Sequence, residues 1–95
     1  MTERKTEFTD NFFFDSVIDI LLIQKCTNIK AFKVEKNSFF DVVIMCNVTS
    51  NTQMVSSVKK LKNLVKSRNK NFFSEGIDSS WALVEFEGVG IHFFT

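Results

Sequence analysis

The chain is 95 residues and 11.0 kDa, enough for one domain and one core. Its longest uninterrupted apolar run, Val42–Cys46, is five residues, against the ~20 that cross a bilayer, and Met1-Thr2-Glu3-Arg4-Lys5 leads into no signal-like core. Cys26 and Cys46 lie 20 positions apart without a CxxC pair, which reads as two reduced core thiols of a cytoplasmic protein rather than a disulfide framework or a zinc site. Twelve Phe with no Tyr and no Pro reads as coding bias, not function. The net charge is +1, but its distribution is uneven. Residues 51–71 hold six basic residues and no acid, whereas residues 72–95 hold Glu75, Asp78, Glu85 and Glu87 and no Lys or Arg. That pattern predicts two differently charged surfaces on one small body.

In chain order, residues 1–9 are polar and expected to fray. Asp10 is placed to cap a helix running to about Cys26, with Asp15 and Asp19 toward its polar side. Phe14, Val17, Ile18, Leu21 and Leu22 form its apolar stripe, and Asn28, which tolerates the left-handed region, is the expected stop. A strand is predicted over Ile29–Glu35 and a tight connection at Asn37-Ser38. A second strand, Phe39–Cys46, is apolar except at Asp41, the pattern of a central strand covered on both faces. Thr49 or Ser50 then caps a second helix from about Thr52 to Arg68. Met54, Val58, Leu61 and Val65 form its buried face, Leu64 widens it, and Lys59, Lys62 and Lys66 lie along one flank.

Phe72-Phe73 begins a short strand. Trp81–Phe86 and Val89–Phe94, joined by Glu87-Gly88, form a hairpin. Strand alternation sets Val84, Phe86, Ile91 and Phe93 toward a core and leaves Trp81, Leu83, Glu85, His92 and Phe94 on a face that meets water or a partner. The expected architecture is α+β: one domain over residues 1–95, a mixed sheet with helices packed on one side, in the order helix–strand–strand–helix–strand–strand–strand. Catalytic signals are scarce. His92 has no identifiable orienting partner, no glycine opens a helix, and no Ser or Cys sits in a nucleophile elbow. Asp15 and Asp19 read as surface charges. A binding module that needs no cofactor and no metal is favoured over an enzyme.

The stretch Glu75-Gly76-Ile77-Asp78-Ser79-Ser80-Trp81-Ala82-Leu83-Val84-Glu85-Phe86, closing with Val89-Gly90-Ile91-His92-Phe93-Phe94, resembles the hallmark of the ribosomal silencing factor family, RsfS or Iojap. That hallmark is E-G, a spacer, a tryptophan strand ending in an acid, and a hairpin to V-H-hydrophobic-F. Phe40-Asp41-Val42-Val43-Ile44-Met45-Cys46 and Thr49-Ser50-Asn51-Thr52-Gln53-Met54 resemble the family's D-Y-F-V-I strand and S/T-S-x-x-Q/H-V helix start. Lys25 to Ile29 sits where the family has K-G/A-x-D-I. Together the likeness spans roughly residues 17–94. Departures are Val48 for a Gly, Asn28 and Glu85 for Asp, Ile91 for Val, and Glu87-Gly88 for Gly-Asp at the turn. The family's R..Y.LE.LW segment has no counterpart before Thr95, which leaves open what that segment contributes.

The resemblance implies a nucleotidyltransferase-like sheet without the catalytic Gly-Ser and paired Asp of those enzymes. It also implies a non-enzymatic translation repressor that binds the fourteenth protein of the large ribosomal subunit and blocks joining of the small subunit. Trp81, Leu83, Glu85, His92 and Phe94 are the expected protein-binding residues. Lys59, Lys62 and Lys66 are the expected contacts to nearby rRNA phosphate. The alternative is a small α+β RNA-binding module using those lysines and Arg68, and self-association is left open.

Overall fold

A computed structural model describes residues 11–34, 41–77 and 80–95. Residues 1–9, Asp10, Glu35, Asn37-Ser38, Phe39, Phe40 and Asp78-Ser79 of the sequence reading lie outside the described residues. The elements are α1 (Asn11–Ile23), β1 (Thr27–Lys33), β2 (Val42–Asn47), α2 (Asn51–Ser67), β3 (Phe73–Glu75), β4 (Trp81–Phe86) and β5 (Val89–Phe94). The expected order and the α+β class are what is observed.

The sheet order is β1-β2-β5-β4-β3, antiparallel except for the parallel β2–β5 pair. Both helices cover one side of it. The core lies there, between Val17 and Leu21 of α1, Met54, Leu61 and Val65 of α2, and the inward residues of β2, β4 and β5. Those inward residues are Val42, Ile44 and Cys46, then Ala82, Val84 and Phe86, then Val89, Ile91 and Phe93. β2 is thus buried by alternation, with Val43 half-buried and Met45 38% exposed. The expectation of cover on both faces is corrected: among the described residues, both helices lie on the first side.

Helix α1 ends three residues earlier than expected. Its last turn closes with Cys26 N–H donating to Leu21 C=O (3.0 Å) and Lys25 N–H to Leu22 C=O (2.9 Å), and Lys25 takes the left-handed conformation at φ 65°. This is a Schellman cap with lysine in the usual glycine place. Asn28 is also left-handed, at φ 52°, but it serves a register shift between Thr27 and Lys30 in the β1–β2 ladder. The apolar stripe is rotated as well. Phe13, Val17 and Leu21 are buried at steps of four, Phe14 and Ile18 are partly buried, and Leu22 is 57% exposed.

Helix α2 begins at the Ser50 cap, whose Oγ accepts from Gln53 N–H at 3.1 Å. The Gln53 side chain reaches back: its Oε1 accepts from Thr49 N–H (2.6 Å) and Thr49 Oγ1 (2.9 Å). Its Nε2 donates to Gln24 C=O at 2.7 Å, so one glutamine ties the start of α2 to the end of α1. Ser57 is fully buried because its hydroxyl donates to Gln53 C=O at 2.8 Å.

Cys26 and Cys46 are both free and buried, as expected of core thiols, but the fold makes them neighbours. The hydrogen bond from Cys46, with a smaller one from Ser57, pulls the Cys26 thiol down to about 7. Cys46 is pushed up, by the sharing of its proton with Cys26 and by burial.

The hairpin turn is of type I′, with Glu87 at φ 43° and Gly88 at φ 79°. A Cβ on Gly88 would stand 2.6 Å from the Asp41 carboxylate. Its carbonyl accepts from Asp41 N–H (2.7 Å) and Val42 N–H (3.2 Å). The turn therefore carries the start of β2 on its back.

Candidate functional site

The second side of the sheet is the feature that stands out. Ladder registers arrange its side chains in cross-strand rows, because directly paired residues share a face. One row runs Trp81–Phe94–Asn47–Thr27. The next runs Glu75–Leu83–His92–Met45–Lys30, and the third Phe73–Glu85–Gly90–Val43–Phe32. The structure therefore brings Trp81, Leu83, Glu85, His92 and Phe94 together on one face, each half-buried.

Trp81 sits at the start of β4 with Gly76 beneath it. A Cβ on Gly76, itself at φ 75°, would lie 2.7 Å from the Trp81 carbonyl and 2.9 Å from its indole Cε3. The E-G before the tryptophan is thus a seat for the ring. The Trp81 and His92 rings are 6.3 Å apart at 42°, and His92 stacks on Phe94 at 6.2 Å and 9°. Three rings form a ladder across β4 and β5. Glu75 and Glu85, on adjacent strands, place two carboxylates beside it.

Lys59, Lys62 and Lys66 are exposed on α2, in the helix layer, on the other side of the molecule from the ring ladder. Arg68 behaves differently from the sequence reading. Its Nε donates to Glu87 Oε2 (3.1 Å) and its Nη2 to Glu87 Oε1 (3.3 Å), and its guanidinium lies 4.1 Å from the Phe13 ring centre. It clamps the end of α2 to the hairpin turn and to α1, and is removed from the nucleic-acid set.

Sequence reasoning missed half the face. Phe32 (49% exposed), Phe73 (50%) and Met45 (38%) stand on it, with Lys30 and Glu75 at its two ends. The signal was present in the alternation of β2, but the apolar run Val42–Cys46 concealed it. Among the described residues no three His, Cys, Asp or Glu side chains come together as a metal site.

The described residues thus form a two-layer α+β domain whose aromatic sheet face turns away from both helices. Comparisons with known proteins place it further. The family model described as "Ribosomal silencing factor during starvation" matches residues 10–95. The chain belongs to that family of ribosomal silencing factors: translation regulators with a ribosome-associated, non-enzymatic role. A crystal structure of a Bacillus halodurans protein superimposes with TM-score 0.77 at 19% identity, over 88% of this chain and 81% of that one. A Chromobacterium violaceum protein gives TM-score 0.77 at 23% identity, over 88% and 72%. Both are likenesses of fold. No curated protein matches the chain. Among the described residues no helix is long and apolar enough to cross a membrane.

Proposed function

We propose that the protein silences translation in the cytoplasm by seating the sheet face that turns away from its helices on a basic protein of the large ribosomal subunit, at the surface where the small subunit would join. The family resemblance names that partner as the fourteenth large-subunit protein. The observation that carries the reading is the ring ladder Trp81–His92–Phe94 beside Glu75 and Glu85. An aromatic anchor next to carboxylates suits a cationic protein surface, where attraction steers encounter and ring burial supplies affinity. Lys59, Lys62 and Lys66 then face away and contact phosphate of neighbouring rRNA without reading sequence.

An RNA-binding module is disfavoured by the same geometry. The rings and the lysines lie on opposite sides, so one strand could not stack and be neutralised together, and the ring face carries acid. The test is co-sedimentation with isolated large subunits. Trp81→Ala should weaken binding by about 30-fold or more, the loss of a hot spot. Glu85→Lys, which spares the packing on Gly76, should also weaken it, with the circular dichroism of both variants unchanged. Two variants that fold and co-sediment as well as the parent would refute the docking.

A further inference from the structure

We propose that the docking face extends across all five strands, and that Phe32 and Met45 contact the same basic protein while Lys30 and Glu75, at opposite ends of one row, fix the direction in which it lies. This deepens the reading above and rests on it.

Three observations support the extension. The first is area. A standard interface takes about 800 Å² of accessible surface from each partner. β4 and β5 alone, two six-residue strands, present roughly 200 Å² in plan, whereas a five-strand face presents more than twice that.

The second is continuity. His92 of the ring ladder pairs with Met45, and Met45 pairs with Lys30. In the next row Gly90 pairs with Val43 and Val43 with Phe32. No strand intervenes between the expected site and this second half. Phe32 at 49% and Met45 at 38% exposure are large apolar groups with, among the described residues, no helix above them, and they adjoin the ladder to make one patch rather than scattered surface residues.

The third is charge. Glu75 on β3 and Lys30 on β1 end the row Glu75–Leu83–His92–Met45–Lys30, separated by four inter-strand steps, about 19 Å. A partner that sets a cation on Glu75 and an acid on Lys30 is accepted across the row in one sense only. Turned end for end, it meets like charge at both ends.

Binding of the full chain to isolated large subunits tests this against the Trp81 reference. A Phe32→Ser, Met45→Ser double variant should bind at least 10-fold more weakly with its thermal midpoint within a degree or two of the parent. Lys30→Glu should weaken binding several-fold, and a Lys30→Glu, Glu75→Lys double reversal should weaken it more than either single change. If Trp81→Ala loses binding while the Phe32, Met45 variant stays within twofold of the parent, the extension is wrong and the docking stands. If neither variant loses binding, the whole face is wrong. Unequal single reversals that restore one another when combined would overturn the orientation.

Discussion

Gly76 shows how one missing side chain can place a functional group. The tryptophan, the sole one in the chain, rests where a Cβ would stand, and the left-handed φ of 75° is open to glycine at little cost. Gly76→Ala should therefore cost about 1–3 kcal/mol of stability. It should also shift the fluorescence maximum of Trp81, and an unmoved spectrum with normal stability would contradict the seat. Arg68 is the counterpart among the charged residues. In sequence it is one more cation on a basic helix, and only the packing of Phe13 against Phe86, with ring centres 5.8 Å apart, shows why its guanidinium turns to Glu87. Nothing in the order of residues near Arg68 separates it from Lys66, because the deciding contacts come from 19 positions away.

At the scale of elements, hydrophobic periodicity located both helices and the β4–β5 hairpin, and residue composition located β1 and β3. Boundaries moved where backbone conformation, not burial, decides. Lys25 in the Schellman cap is an example: the sequence offers Asn28 as the better left-handed residue, yet the 6→1 bond from Cys26 to Leu21 fixes the end of α1 earlier. Lys25→Gly should stabilise the protein by about 0.5–1 kcal/mol, since lysine bears a steric cost at φ 65° that glycine does not. Urea unfolding with an unchanged slope measures it. The candidate site was legible for the same reason and to the same extent. In β4 and β5 strict alternation assigned each residue to a face, whereas five consecutive apolar residues in β2 hid which of them look outward. The β1 residues were unreadable, since Phe32 and Lys30 acquire a face only through pairing with Val43 and Met45.

For the whole molecule, the α2 lysines and the Glu75 and Glu85 carboxylates lie on opposite sides, the former in the helix layer and the latter on the sheet face. A Lys59→Glu, Lys62→Glu, Lys66→Glu variant should leave thermal stability near that of the parent, because all three side chains are exposed. Its large-subunit binding should lose salt dependence. Three phosphate contacts give a slope of log K against log salt of about −2 to −3, and the variant should be flatter by that amount. Equal slopes for the two proteins would show that α2 touches no phosphate.

The strand order has a temporal meaning as well. β1–β2 and β3–β4 are neighbours in sequence, but the sheet is one sheet only through β5, which lies between β2 and β4. During synthesis the two ribbons share no strand ladder until β5 emerges, and Gly88, whose carbonyl holds the opening of β2, comes just before it. A nascent chain halted before Val89 holds two ribbons whose facing edges lack the ladder that β5 supplies. This regulator of ribosomes can assume its shape only after the ribosome making it has released the Val89–Phe94 segment from its tunnel.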